Sequence, residues 1–550
     1  MRRLETSRLA WAAFLALALL LLCIEGTWPF AEGSAPRVAA AWSWIGCSVL
    51  VLCWALALVV LPFLRPGFWK SRDLPWFLAA HVIPVGLVLF EVNGWKFTQI
   101  NGEGAQEVQS GYFFLTRYPD LGIFKMGFLG YPTRQYLLAA LPSYILGKGL
   151  VTLRMGYGTL YVLGYLSFLQ ATWRYMGSRN SPRPMLLASL TGTLVSLGSY
   201  PLLHARIFEQ TIEPLSVTFL FLAGLLLLLS RPGPLPALWA AWALGLLPYS
   251  YTPAYAPWLF AMALLVCLAL SRSAGQRLPI AVILACGAAS FATSVAMLVH
   301  EHSLAGKVAL GGFDGLVARD WLFRLSGGFH ATIGLEESLV PAPLLLGLVF
   351  ILVHSLGRRD FRVLWVCAWG AGTVAVALAL KGYCWRLPEF DVHRAMTILP
   401  VLSLALGLYL SENWSRLSQG ADERLLRGLV ISAMVVMILN SACLPFLRRT
   451  PRGSDPTITG DDEEAIMLVL HVAGRSPRTI YMQPPLDCDL DDILRYFWPD
   501  TAIVRSDPPE GEHLPGVYVL SFLNKDPMTR VYDFLVWHAN RRPYLQLRPE

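Results

Sequence analysis

Charge is scarce in this chain: Asp, Glu, Lys and Arg make up 15% of its 550 residues, hydrophobic residues make up 55%, and the mean hydropathy is +0.51. Soluble domains carry about a quarter of their residues charged, so the composition excludes a water-soluble globule and implies a polytopic membrane protein. Paired cysteines are also lacking. The nine Cys are scattered, mostly inside apolar runs and without a CxxC pair. That excludes a disulfide framework or zinc knot and leaves them as small buried apolar residues. The net charge of +7 arises from short Lys and Arg clusters set between apolar runs. Such spacing encodes membrane topology and argues against a nucleic-acid partner.

What is present is a series of apolar runs, each long enough or nearly so to cross a hydrocarbon core of roughly 30 Å. They lie near 9–24, 42–64, 74–92, 151–176, 185–203, 213–230, 236–250, 254–271, 278–299, 341–356, 362–380, 395–411 and 425–446. This predicts about 13 transmembrane helices. The first run follows MRRLETSR and precedes EGTWPF, which offers no small-x-small cleavage site, so a retained helix is expected. The stretch Gln135–Leu146, interrupted by Pro142, is too short to span and is expected to lie in the interface or re-enter the membrane.

With a cytoplasmic N-terminus, every predicted inner segment carries a cation, from Arg2, Arg3 and Arg8 through Arg65, Arg174, Arg231, Arg272 and Arg358 to Arg427. The opposite face then receives all the long or chemically varied loops: 93–134, 204–213, 300–340, 381–394 and the tail. After Phe446 a polar linker leads to alternating helix-like and strand-like segments, a small C-terminal α/β domain. Its strands are expected at 479–483, 502–505 and 517–521, and its helices at 461–474, 489–497 and 529–539. It has no Gly-rich phosphate loop and no acid–His–Ser pattern, which leaves a cap on the membrane domain as the simplest reading.

The loop 93–134, NGWKFTQINGEGAQEVQSGYFFLTRYPDLGIFKMGFLGYPTR, is too long for a mere connection. It holds Glu103, Glu107 and Asp120 together with Arg117 and Lys125. His204, Arg206, Glu209 and Glu213 fall at the outer ends of two spans, and Lys381, Arg386, Glu389, Asp391, His393 and Arg394 crowd another outer segment. Carboxylates and cations on one face between apolar helices suit a substrate with an anionic head and a greasy tail. Arg and Lys would hold a phosphate, and a carboxylate would take a proton from an acceptor hydroxyl. For each single cation the plainer reading is interfacial snorkelling. The triplet His300-Glu301-His302 sits at a span end where polar residues are expected, so no metal or other cofactor is assigned.

The run INGEGAQEVQSGYFFL, followed by GYPTRQYLLAALPSYILGKG and Arg154, resembles the GT-C glycosyltransferase superfamily. Within it the chain is most similar to the bacterial branch related to protein O-mannosyltransferases and lipid A aminoarabinose transferases. The likeness covers 74–447 and the tail at 448–550, with 1–73 as a two-helix N-terminal extension. It implies a polyprenyl-phosphate sugar as donor and a hydroxyl on a lipid, glycan or protein as acceptor. Transfer would occur with inversion at the outer face of the bacterial inner membrane. It also implies Glu103 as general base, with Glu107 and Asp120 as alternatives. Arg394, Lys381, Arg386 and Arg206 would hold the donor phosphate, and Lys125, His204 and Glu209 would line the acceptor cavity. Where the family usually shows Asp followed by Glu, this chain has Asn101-Gly102-Glu103. A transporter for a lipid-linked or anionic substrate, or a non-catalytic relative, is the alternative. Neither internal repeats nor polar residues gathered at mid-span favour transport.

Overall fold

The computed structural model describes residues 2–89, 102–120, 123–125, 134–195, 212–250, 254–271, 274–300 and 396–417, the strands of the tail, and a few single positions besides. The membrane part is helical: α1 Arg2–Glu25, α2 Ala35–Val60, α3 Leu74–Leu89, α4 Gly102–Thr116, α5 Arg134–Leu146, α6 Leu150–Ser178, α7 Pro184–Val195, α8 Ile212–Ser230, α9 Pro234–Leu246, α10 Tyr255–Ser271, α11 Ala274–His300 and α12 Leu399–Leu417. Among the described residues three stretches are long and apolar enough to cross a membrane by length and composition: Ala35–Leu64, Ile212–Ser230 and Arg277–His300. Helices α1, α3, α7, α10 and α12 contain shorter apolar segments. The chain is a polytopic membrane protein. The spans expected near 341–356, 362–380 and 425–446 lie outside the described residues, apart from two isolated positions in the last.

Burial sorts these helices. The apolar window of α8 is 94% buried, whereas those of α2 with its extension and of α11 are only 39% buried. A helix apolar all round belongs at the centre of a bundle, and one with an exposed apolar flank faces lipid. Accordingly α8 packs between α6 and α9, and Trp42, Val49 and Leu56 of α2 turn outward. Close approach needs small residues, as in other membrane bundles. A Cβ at Gly164 of α6 would lie 2.7 Å from the Ser216 carbonyl oxygen of α8. Segment 1–73 is packed into this bundle, α1 against α9 and α11, and α2 against α6.

The two ends of the bundle differ. At one end Asp73, just before α3, accepts a hydrogen bond from Arg183 Nε at 2.7 Å and a second from Arg183 Nη2. Arg65, Arg174 and Arg231 lie near enough to one another there for Arg174 to feel both the others. At the opposite end α4 lies within the loop 93–134 and α5 follows it. α5 is 13 residues long with Pro142 inside it; at 1.5 Å per residue it reaches about 20 Å, too short to span. Its first seven residues are buried, while Tyr144, Ile145 and Leu146 are exposed.

The tail carries a sheet of β1 Thr479–Met482, β2 Ala502–Val504, β3 Val517–Leu520, β4 Phe534–Ala539 and β5 Arg542–Leu547, in the order β2-β1-β3-β4-β5. The first four strands are parallel and β5 is antiparallel to β4, with Ala539 opposite Arg542. The first three strands stand where the sequence placed them. The helix expected over 529–539 is corrected, because 534–539 is strand β4. Phe, Leu, Val and Trp in succession fit a strand flanked on both sides, and so short an apolar run has no period that separates strand from helix. The helices expected at 461–474 and 489–497 fall outside the described residues, except for Tyr496 and its helical backbone.

A Cβ at Gly111 of α4 would lie 2.0 Å from the Tyr136 carbonyl oxygen of α5, whereas one at Gly46 in α2 meets nothing within 4 Å. Gly111→Ala should therefore lower stability by about 1–3 kcal/mol, and Gly46→Ala should be neutral or stabilising by up to ~1 kcal/mol. Thermal unfolding in detergent would show this, and equal melting for both variants would contradict the α4–α5 contact.

Candidate active site

Helix α4 starts thirteen residues after α3 ends and places Glu103 in its first turn and Glu107 in its second. An acidic residue in a first turn is stabilised by the helix dipole, and residues four apart share a face. Glu107 is fully buried and accepts a hydrogen bond from Tyr157 Oη to Oε2 at 2.6 Å. That length is typical of a hydroxyl donating to a carboxylate. Tyr157 belongs to α6, which approaches α5 so closely that a Cβ at Gly156 would lie 2.3 Å from the Ala139 carbonyl oxygen. Tyr157 also interacts electrostatically with Tyr136 of α5 and with Glu213 at the start of α8. Glu213 is buried too and accepts from Ser250 Oγ at 2.9 Å to Oε1. Arg154 is buried three residues before Tyr157, on the same side of α6.

A second cluster adjoins the first through neighbouring residues. Arg134 opens α5 and is buried, with its guanidinium in a fork on Glu25, Nη1 to Oε1 at 2.7 Å and Nη2 to Oε2 at 3.3 Å. Tyr249 Oη donates to Glu25 Oε2, and Ser290 Oγ donates to Oε1 at 3.2 Å. The guanidinium lies 3.7 Å from the centre of the Tyr249 ring and 4.9 Å from that of Phe124. Arg134 precedes Gln135 and Tyr136, and Tyr249 precedes Ser250, so the cluster around Glu25 and the one around Glu107 and Glu213 lie side by side at one end of the bundle. Together they draw on α1, α4, α5, α6, α8, α11 and the turn after α9.

The loop 93–134 and the helix α5 that follows it are fastened on two sides. Toward the α1–α2 hairpin, Tyr118 Oη donates to the Ala41 carbonyl, and the Trp42 and Tyr118 rings meet edge-on at 5.5 Å. The Gly33 N–H donates to the Asp120 carbonyl at 3.2 Å, and Lys125 pairs with Glu32. Burial pushes the Tyr118 hydroxyl pKa up, while the Arg134 charge opposes that shift. Toward the tail, Lys148 Nζ donates to Gln109 Oε1 at 2.8 Å and to the Tyr496 carbonyl at 3.0 Å, above the Tyr112 ring at 4.5 Å. The Tyr496 hydroxyl, fully buried, meets Ser143 Oγ at 2.8 Å. Burial lowers the Lys148 pKa against the pull of Asp500, and it raises that of Tyr496.

The residues proposed from sequence are distributed as follows. Glu107 stands in the buried cluster with Tyr157; the backbone of Glu103 stands one turn before it, and its side chain is outside the described residues. Asp120 is exposed, and Lys125 is partnered with Glu32 on the loop surface. Arg394, Lys381, Arg386, Arg206, His204 and Glu209 fall outside the described residues. His300 ends α11 with its ring edge-on to Trp28 at 5.9 Å, and Glu301 and His302 are likewise outside. The sequence reading did not single out Glu25, Arg134, Tyr157 or Ser250. Glu25 and Arg134 carry a usable signal, each an ionisable residue bordering an apolar run, whereas Tyr157 and Ser250 read as ordinary members of one.

No protein-family model matches the chain, and no curated protein matches it in sequence. Solved structures do. ArnT from Cupriavidus metallidurans in the apo state is similar with a TM-score of 0.50 and 12% identity, over 79% of this chain and 87% of that one. The same protein bound to undecaprenyl phosphate gives 0.46 and 10%, over 83% and 86%. The Archaeoglobus fulgidus oligosaccharyltransferase in complex with Zn and sulfate gives 0.43 and 14%, over 78% and 62%. The likeness to apo ArnT establishes the architecture: the chain has the GT-C fold that its outer-loop motifs suggested.

Tyr157→Phe removes the hydroxyl that Glu107 accepts from and should lower stability by about 1.5–3 kcal/mol, the contribution of a hydrogen bond to a charged group. Unchanged unfolding in detergent would mean that this bond is not made by an ionised Glu107.

Proposed function

We propose that the protein is a membrane glycosyltransferase that moves a sugar from a polyprenyl-phosphate donor to an acceptor hydroxyl at the outer face of the membrane, with inversion. The observation that carries this reading is the backbone position of two glutamates one turn apart on α4, the helix after the first core span, in a chain of GT-C fold. Glu103 acts as the general base that takes the proton from the acceptor hydroxyl. Glu107, held by Tyr157, is its alternative and Asp120 the third. One base and a phosphate leaving group suffice for inversion without a covalent intermediate.

The leaving phosphate needs cations as the bond to the sugar breaks. Arg394, with Lys381, Arg386 and Arg206, fills that role, and the acceptor lies by Lys125, His204 and Glu209. Arg154, buried beside Tyr157, joins the cations. Gathering of Glu25, Glu107 and Glu213 at one end of the described bundle, rather than along a central path, supports transfer over transport. Repulsion among Arg65, Arg174 and Arg231 at the opposite end supports a cytoplasmic placement for that end. The N-terminus is then cytoplasmic and the tail extracytoplasmic, in a bacterial inner membrane.

Two measurements test the reading. Glu103→Gln keeps shape and hydrogen-bonding capacity but removes the basic oxygen. It should cut turnover by roughly 10²–10⁴-fold with donor affinity retained. Parental turnover with a competent pair of polyprenyl-phosphate sugar and acceptor would eliminate Glu103 as base and bring Glu107 forward. For orientation, a cytoplasm-active reporter fused at Arg427 should work, and one fused after Glu550 should work only if it is active outside the cytoplasm. The reverse pattern at either site would sink the assignment of faces.

A further inference from the structure

We infer that segment 1–73 is a working part of the site, and that Glu25 is a positioning residue that acts through Arg134 on the first turn of α5. Only the activity arm of this inference rests on the transferase reading. Glu25 accepts from Arg134 Nη1 and Ser290 Oγ on one oxygen and from Arg134 Nη2 and Tyr249 Oη on the other. A carboxylate has about four such lone-pair sites, so Glu25 has none left for a substrate. It therefore does not touch the reacting atoms.

Stability alone does not account for the pair. A buried ion pair contributes little beyond well-packed apolar residues of the same volume, whereas its geometry is directional. The fork fixes the guanidinium of the residue that opens α5. Gln135 and Tyr136 follow at once, both fully buried. The Gln135 amide has no hydrogen-bond partner among the described residues, and Tyr136 interacts with Tyr157, the donor to Glu107. A shift of α5 is passed directly to α4, because Gly111 leaves no room between the two helices. The same hairpin that ends in Glu25 also grips the loop between α4 and α5 at Tyr118, Asp120 and Lys125. Segment 1–73 thus holds α5 by its first residue and the preceding loop by its surface.

The test uses the full-length protein with Glu25→Leu combined with Arg134→Met. The pair of substitutions leaves no charge stranded and should fold as well as the parent, whereas either single change strands the other charge in an apolar interior. Glu25→Asp, which keeps the charge, is the rescue control. The double variant should melt with the parent and yet lose roughly 10²-fold in turnover at saturating donor, the scale of a misplacement of about 1 Å. Its KM for the donor should stay near the parental value, and Glu25→Asp, which keeps the charge but sets the carboxylate back by one methylene, should turn over at a rate between those of the parent and the double variant. Hydrogen exchange should show lost protection over 102–116, a helix that Glu25 does not touch. A double variant with parental turnover and parental exchange would overturn the inference. If the parent itself transfers from no polyprenyl-phosphate sugar, the transferase reading fails and the exchange result alone decides the positioning role.

Discussion

In an apolar bundle a buried charge must find a partner, because bringing it out of water costs far more than any single packing contact returns. The end of the bundle that holds α4 and the start of α5 is arranged by that constraint. Glu25 and Arg134 satisfy each other, Tyr249 and Ser290 complete the carboxylate, Tyr157 serves Glu107 and Ser250 serves Glu213. Each of these bonds joins two different elements, so the polar groups fix the relative placement of helices whose apolar faces alone would pack in several registers. Among the described residues the opposite end uses the same device between Asp73 and Arg183.

The N-terminal hairpin meets the loop 93–134 directly, and the tail meets α5 and Lys148, which in turn holds α4. Lys148 bridges Gln109 of α4 to the Tyr496 carbonyl, and the Tyr496 hydroxyl reaches Ser143 of α5. A loop fixed at both flanks loses conformational freedom before any ligand arrives, which reduces the entropy that binding must still remove. The described helices α4 and α5 therefore belong to a preorganised platform.

Much of the fold was legible because apolar runs of span length have few alternative fates in water. The run read at 151–176 is α6, Leu150–Ser178, and the one at 213–230 is α8, Ile212–Ser230. Strands β1 to β3 were legible from short β-branched runs bounded by turn residues. Strand β4 was not, since FLVWHA gives no period. The candidate site was half legible. Glu107 was legible only as the alternative to Glu103, one helical turn on, and Tyr157 sits inside the apolar run LRMGYGTLYVLGY and is distinguished there only by its partner. The Glu25–Arg134 pair joins residues 109 positions apart, and no local pattern encodes a contact of that range.

That separation also sets an order of assembly. Glu25 is made with the first helix, Arg134 follows 109 residues later, Tyr249 224 residues later and Ser290 265 residues later. At about 5–20 residues per second of synthesis, the carboxylate waits on the order of tens of seconds for its last donor. Until then it must stay at the wet edge of the bilayer, at the end of α1, where water can hydrate it. The ion pair can close once Arg134 has left the ribosome, but the full set of donors around Glu25 is complete only after Ser290 has followed.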